Sequence, residues 1–513
     1  MPTKNSAAHL IRSTGILMAA FFINKILAIG RQVVIARAFG TGDDYDAFIA
    51  AFRLPDILFM LISGGALATA FIPILSERLT LRPSHDPDGW RLTSLTLNSM
   101  LVIAAAVSLL VALIALPLVE WLIAPGFAPE TQALTANLMR LALISTIIFS
   151  ISGLVNGVLN AHQHFLLPAL APLLYNLGLI AGAFFLAPTF GVYGLMWGAM
   201  AGAAGHLLIQ IPGLIQRQFR YRPGLDWADQ GLRQVAKLMG PRIFTLGVIQ
   251  LNFIVIYNLA SRLGEGNVSA LDYGWDLMQM PQTIIGSAIG IVLFPTMAEL
   301  AAQGNLSGLR QTMAQALRII FALAVPAMIG LILLGRPIIQ VLFERGEFGP
   351  ESTTAVNQAL QFWALALLGH CALEVVNRLF YAQKDTFTPL LGALAGMAIN
   401  LILAVTTYQT LNAGGLALAN AVAVTVEVLI LLVIAQQRLA GVEAGRLVNT
   451  LLRTLLAAGV MGLAIFVFTL SFPNLSPLFV AALGGTLGIG VYLLAGLLLG
   501  VEEIRLLPRL VGR

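Results

Sequence analysis

Cysteine is almost absent from this chain, charge is scarce, and no hydrophilic stretch is long enough to fold by itself. The single cysteine, Cys371, cannot form an internal disulfide. Its apolar neighbours predict a buried packing role rather than a reactive thiol. Only 10% of the residues are charged while 58% are hydrophobic; a soluble domain has roughly a quarter charged, so a water-soluble protein is excluded. The glycine-rich phosphate loop ending in Gly-Lys is missing, which argues against direct ATP coupling. His9, His85, His162, His164, His206 and His370 are scattered. The closest two, His162 and His164, would point to different faces of a helix, so they predict a polar turn and no metal site. Acids and bases could be paired, but no nucleophile or metal constellation accompanies them, and no enzyme is expected. The short alternating segments of a membrane barrel are absent too.

What is present is apolar sequence in windows long enough to cross a bilayer, recurring from end to end. We read an all-α integral membrane protein of fourteen transmembrane helices, the first at 13–37 and the last at 476–500. Lys4 and Arg12 precede the first window as in a signal peptide, but that span is long and carries Lys25 and Arg31, so it is expected to be retained. On this map the outer connections hold only Arg37, Arg262, Arg336 and Arg345. The other connecting Lys and Arg fall on the opposite side, led by Arg217, Arg220, Arg222, Arg233 and Lys237 after span six. The positive-inside rule then puts both termini in the cytoplasm. The formal charge of +5 points to a membrane surface and its lipids, not to nucleic acid.

Sliding the sequence along itself by about 221 residues aligns several separated features. Gly64, Ala66, Pro73 and Glu77 match Gly286, Ala288, Pro295 and Glu299. Phe127-Ala-Pro-Glu-Thr131 matches Phe348-Gly-Pro-Glu-Ser352. Asn156, Ala161 and Pro168 match Asn377, Ala382 and Pro389, and Gly194-Leu195 matches Gly415-Leu416. The repeat is six helices long, and an even number of spans gives both copies the same orientation. Two pseudo-symmetric lobes are expected, related by an axis along the membrane normal. Their ranges are 1–217 for the N-lobe, 218–234 for a cytoplasmic linker, 235–438 for the C-lobe, and 446–513 for an appended C-terminal pair and tail. Gly194, Gly198 and Gly202, four apart, predict close helix packing.

A charge at bilayer depth costs about 2.5–3.5 kcal/mol on insertion scales, so intramembrane charges are the first functional candidates. The basic ones are Lys25, Arg31, Arg53, Arg140 and Arg242; the acidic ones are Asp46, Asp56, Asp272, Asp276, Glu374 and Glu427. Most of the cations fall in the first lobe and most of the acids in the second. Asn24, Lys25, Ala28, Arg31, Gln32 and Ile35 fall on one face of the first span. That face either lines a cationic cavity for an anionic headgroup or snorkels and pairs with Asp46 or Asp56. Arg53-Leu-Pro-Asp56 predicts a kink at Pro55, with Arg53 lining a cavity or neutralised by Asp56. Asp272 and Asp276 share a face and could bind a cation, pair with Arg242, or hold a proton, with Glu374 and Glu427 joining either network.

The chain resembles the MurJ/MviN family of lipid II flippases, within the MOP exporter superfamily, over essentially its whole length. The likeness is carried by Gly30-Arg31-Gln-Val-Val-Ile-Ala-Arg37-Ala-Phe-Gly40, Asp46-Ala-Phe-Ile-Ala-Ala-Phe-Arg53-Leu-Pro-Asp56, Gly64-Gly-Ala-Leu-Ala-Thr-Ala-Phe-Ile-Pro73, Ala124-Pro-Gly-Phe127 and Leu238-Met-Gly-Pro241. The resemblance implies a two-lobe fold and alternating access, and a cationic cavity in the first lobe that carries an undecaprenyl-diphosphate-linked precursor outward. It also implies a groove for the lipid tail at the last two helices, an inner-membrane location, and partnership with cell-wall synthesis enzymes. The substrate residues expected are Asn24, Lys25, Arg31, Asp46, Arg53 and Arg242. Asp272, Asp276 and Glu374 are expected to serve a coupling cation, Na+ or H+. Arg31 and Asp46 match the family's first-lobe pair. Lys25 stands where Arg is usual, Gln32 where Asp is usual and Phe59 where a cavity Arg is usual, while Asp276 stands near another usual Arg. The competing readings are an exporter of another polyprenyl-diphosphate-linked saccharide, a cation-coupled drug exporter, and a non-transporting scaffold.

Overall fold

The computed structural model describes residues 23–62, 67, 71–77, 87–439 and 441–505, except for the side chains of residues 87, 88, 241, 242, 244, 245, 248 and 249. Lys4, Arg12, the start of the first span, Gly64 and Ala66, the side chain of Arg242, and the tail from 506 lie outside the described residues. What is described is helical, and ten of its helices are long and apolar enough to cross a membrane. In chain order the helices are α1 (23–39), α2 (Asp43–Ile62), α3 (Pro87–Leu113), α4 (Pro129–Ala161), α5 (Leu166–Phe190), α6 (Val192–Gln216) and α7 (Gln230–Ser261). They continue with α8 (Asn267–Ala302), α9 (Leu306–Phe343), α10 (Pro350–Ala382), α11 (Phe387–Arg438), α12 (Ala444–Ser471) and α13 (Pro477–Leu498).

The helix starts follow from local sequence. Pro129 and Pro350 occupy first-turn positions where a missing N–H costs nothing. Asp229 caps α7 by accepting from the Leu232 N–H at 3.0 Å, and Asn305 caps α9 by accepting from the Gly308 N–H at 2.9 Å.

By its internal contacts the chain divides into two units. The first is Met1–Glu265 with Arg345–Phe348, and the second is Gly266–Glu344 with Gly349–Arg513. The division falls after α7, which therefore packs with the first unit. Asn258 donates to the Leu122 carbonyl at 2.7 Å, and Gly126 lies so close to Ser261 and Arg262 that a side chain there would collide with backbone. The core of this unit gathers Leu67, Phe71, Leu92, Leu154, Val158 and Val235. The glycine spacing noted in α6 does bring helices together: a Cβ on Gly198 would meet the Gly178 carbonyl and the Gly182 Cα at 2.6 Å. Gly178 and Gly182 on α5 are thus the facing half of the contact, and helix backbones can approach this closely only without side chains between them.

In the second unit α9, α12 and α13 enclose Val325, Leu334, Ala457, Met461, Ile465 and Tyr492. Pro326 interrupts α9 and cannot donate the hydrogen bond that the Ala322 carbonyl would otherwise receive. The Tyr492 hydroxyl supplies it at 2.5 Å, so a proline in α9 fixes where α13 docks. Cys371 is fully buried against Gly286, as its apolar setting implied.

The 52-residue α11 would be about 78 Å long if straight, more than twice the hydrocarbon thickness. It folds back at Asn412, whose φ is 50° and ψ −139°. Past the bend Gly392 meets Leu431, Gly396 meets Glu427, and Thr407 donates to the Gly415 carbonyl at 3.0 Å, the register of two antiparallel arms.

The 221-residue repeat is visible in backbone conformation. α4 and α10 are both 33 residues long. The turns after them place Gln163 and Lys384 at φ 57° and 61°. Gly191 between α5 and α6 has φ 56° and ψ −139°, nearly the values of Asn412. Arg217 and Arg438 likewise reach back to corresponding turns, Arg217 to the His162 carbonyl at 3.4 Å and Arg438 to Asp385 at 2.5 Å.

Candidate functional site

In the first unit the polar residues of α1 are organised by α5. Arg31, half-buried, donates from Nη1 to Asn176 Oδ1 at 3.1 Å. Asn176, itself 5% exposed, donates from Nδ2 to Asn24 Oδ1 at 2.8 Å. Asn24 and Arg31 are seven residues apart, two helical turns, so one carboxamide can join them. The Nε of Arg31 is buried without a protein partner. Lys25 is exposed, while Gln32, Ile35 and Asp46 are buried, Asp46 completely. The face read as polar and cationic is thus divided: Asn24 and Arg31 come together on Asn176, Gln32 and Ile35 enter the packing, and Lys25 stands apart.

Arg53 does not stand isolated in α2. Its guanidinium carbon lies 3.5 Å from the centroid of the Tyr257 ring on α7, a cation–π contact worth up to about 2 kcal/mol where water is excluded. Asp56, one turn on, is exposed. Pro55 is buried, and its carbonyl accepts from Thr146 at 3.2 Å. Arg140 is exposed and bound to Asn137 at 2.7 Å and to the Ala112 carbonyl at 3.1 Å, so α4 presents it at the helix surface.

Phe59 leads into an aromatic group. Its ring centroid is 5.4 Å from that of Phe149, which meets Tyr175 at 5.1 Å and His206 at 5.3 Å, both edge to face. His206 Nδ1 lies 2.7 Å from the Ser152 hydroxyl, and Gln210 donates to that hydroxyl at 2.7 Å. Tyr175 adjoins Asn176 and lies within electrostatic reach of both Asp56 and Arg31. The wall beside Arg31 is therefore aromatic and neutral-polar, where the family resemblance implied a further arginine.

Of the other histidines, His9 and His85 lie outside the described residues, and among the described residues no group of His, Cys, Asp and Glu is placed to hold a metal ion. His162 stacks on Trp90 with centroids 5.3 Å apart, and its Nδ1 lies 2.9 Å from the Val158 carbonyl. Burial pushes this imidazole below its ordinary range, partly offset by the Val158 carbonyl. It is a neutral packing group at a helix end.

In the second unit Asp272 and Asp276 are half-buried on successive turns of α8, and each is engaged in interactions. Glu374, grouped with them in sequence, is placed differently: it forms an ion pair with Arg378 one turn on in α10 and accepts from the Ser287 hydroxyl at 3.3 Å. Gly290 makes room for the Arg378 guanidinium, which would collide with any side chain there. Arg378 was absent from the intramembrane charges read from sequence, so the second unit is less anionic than that reading held. Glu427 is half-buried against Gly396.

Asn176, Tyr175, Phe149, Tyr257 and Arg378 contact the candidate residues and were missed by sequence reasoning. Asn176 and Arg378 did carry a signal, being polar groups inside apolar windows. The three aromatic residues carried none, because a ring in a membrane span is ordinarily packing.

Comparison with known proteins places the chain in a family. The model of the family described as lipid II flippase MurJ matches residues 35–484. The lipid II flippase MurJ of Burkholderia cenocepacia is 31% identical over 389 residues, covering 74% of this chain and 75% of its own length. A probable lipid II flippase MurJ of Rhizobium meliloti is 30% identical over 481 residues, 90% and 88% of the two chains. Among solved structures, an inward closed conformation of lipid II flippase MurJ superposes with a TM-score of 0.80 at 23% identity, covering 93% of this chain and 97% of that one. An inward-facing multidrug resistance MATE transporter of the MOP superfamily gives 0.66 at 16% identity, covering 82% and 95%. The two structural likenesses establish a shared transporter fold, and the matches in sequence make the chain a member of the lipid II flippase MurJ family.

Proposed function

We propose that the chain is a multi-pass flippase of the bacterial cytoplasmic membrane that carries lipid II, the lipid-linked peptidoglycan precursor, outward by alternating access and without catalysis. The observation that carries this reading is Arg31: a half-buried guanidinium oriented by the neutral Asn176, in a chain of this family. A guanidinium held by a carboxamide is positioned without being neutralised, and its planar fork suits the oxygens of a diphosphate. We read the helices as fourteen spans in two like-oriented lobes plus an appended pair, with both termini cytoplasmic.

In the inward-open state the headgroup reaches Arg31 from the cytoplasm, with Lys25 and Arg53 nearby along the same two helices, while the polyprenyl tail stays in lipid. Phe59, Phe149 and Tyr175 supply flat apolar faces for the saccharide part. A membrane potential negative inside favours outward movement of net negative charge by about 2.3 kcal/mol per charge per 100 mV, giving direction without ATP. Asp272 and Asp276 bind the coupling cation, Na+ or H+, that returns the carrier. Binding must differ between the two states for either force to act. Neither a drug cargo nor another saccharide-linked lipid has better support, since the MATE likeness concerns fold alone.

Complementation of a bacterium depleted of its lipid II flippase, with headgroup exposure measured outside the cell, tests the reading. Restored growth and exposure are expected. Absence of both at normal membrane levels of the protein overturns it.

A further inference from the structure

Among residues not used by the proposed transport site, Arg318 of α9, Arg446, Asn449, Thr450 and Arg453 of α12, and Glu502 beyond the end of α13 line a cavity of about 370 Å³. All belong to the second unit. Its three arginines are not equivalent. Arg318 is committed to two carboxylates, Glu502 at 2.6 Å and the buried Glu503 at 2.5 Å. Arg446 pairs with Glu443 at 3.2 Å but is largely exposed, and Glu502 is 75% exposed. In each pair one partner is exposed and the other largely buried, Glu443 at 15% and Arg318 at 17%, and Arg318 keeps Glu503 when Glu502 moves away. Among the described residues Arg453 meets neutral acceptors, the Gly500 carbonyl at 2.9 Å and Asn449 Oδ1 at 3.2 Å. The cavity also faces the opening turns of a 28-residue helix that starts directly after Glu443, an end where the dipole favours negative charge.

The surface beside the cavity is apolar. Val448, Leu452 and Leu456 are exposed along α12, and Leu498 at the end of α13 is 80% exposed. A cationic pocket opening onto lipid-facing leucines matches a molecule that is anionic at one end and hydrocarbon at the other. The pocket lies on the membrane face that the positive-inside reading assigns to the cytoplasm, the leaflet where basic pockets between helices take anionic headgroups.

We propose that Arg453 and Arg446, with Asn449 and Thr450, seat the phosphodiester of an anionic membrane lipid whose acyl chains lie along α12, Glu502 swinging aside as it binds. This site shares no residue with the proposed transport site and does not depend on the cargo assigned to it.

Native mass spectrometry of the full-length protein, released from micelles containing phosphatidylglycerol or phosphatidylethanolamine, tests the proposal. Phosphatidylglycerol should be retained in preference. The double variant R446Q/R453Q should lose that preference by roughly fivefold per arginine, and E502Q, which removes a competing carboxylate, should strengthen it. Equal retention by the wild type and the double variant, or weaker retention by E502Q, overturns the proposal. Displacement of the lipid by millimolar inorganic phosphate would assign the pocket to free phosphate and overturn the lipid as its occupant.

Discussion

Arg31 and Asn176 are 145 residues apart in sequence and joined by a hydrogen bond of 3.1 Å. Because Asn176 also holds Asn24, this bond sets both the rotamer of the arginine and the seating of α1 on α5. Replacing Arg31 with Ala is expected to abolish complementation at unchanged protein level. Asn176→Ala removes a hydrogen bond to a charged group, worth about 1.5–3 kcal/mol, and should lower headgroup exposure at least tenfold with the fold intact. Normal growth of the Arg31 variant would remove that residue from the cargo site.

Phe59 packs on the Phe149 ring and is only half-buried. Phe59→Arg should therefore fold and complement, because the guanidinium can lie over the ring it replaces a contact with. A well-expressed variant that fails to complement would mean that the aromatic wall is itself required by the headgroup.

The coupling role given to Asp276 is tested by Asp276→Asn. Transport measured in vesicles should lose its dependence on the sodium or proton gradient. An unchanged ion response would leave this carboxylate as a structural partner within α8 and its neighbours.

Asn412 adopts at its bend a conformation that the first copy gives to Gly191. A non-glycine residue there costs on the order of 1–3 kcal/mol, while glycine adds unfolded-chain entropy of roughly 0.5–1 kcal/mol. Asn412→Gly should thus stabilise the protein by about 1 kcal/mol, and Gly191→Ala should destabilise it. Thermal unfolding in detergent reads both, and a lower melting temperature for Asn412→Gly would refute the account.

Asp385 sits in the turn before α11. Burial raises its carboxyl, but hydrogen bonds from the Thr388 hydroxyl and N–H, and the Arg438 guanidinium, outweigh that and hold it down to about 2. A group with a depressed folded value adds stability above its unfolded value near 3.9, and loses it as pH falls toward 2. Wild-type unfolding temperature should fall between about pH 4 and pH 2 more steeply than that of Asp385→Asn. Parallel pH profiles would show that Asp385 contributes nothing through its charge.

Much of the fold could be read from the sequence because its signals are periodic and cumulative. The repeat and the glycine spacing of α6 each act through the backbone, which follows local rules. The site was less readable. That Arg31 is a candidate followed from the cost of a charge in lipid, but its partner lies on α5, and no local pattern couples residue 31 to residue 176. Lys25 was grouped with Arg31 by helical spacing, and Glu374 with Asp272 and Asp276 only as another acid in an apolar window. Spacing gives a helical face, whereas the packing of α10 against Gly290 decided that Glu374 would meet Arg378. Arg378 itself lies near a span end, where hydropathy does not distinguish a snorkelling arginine from an internal one.

Glu374 and Arg378 have an electrical consequence. Two opposite charges one helical turn apart amount to a short dipole, so a displacement of α10 through the bilayer field carries almost no gating charge. That helix can shift during a transport cycle without drawing work from the voltage, and whatever voltage sensitivity the carrier has must be borne by other ionised groups or by the cargo.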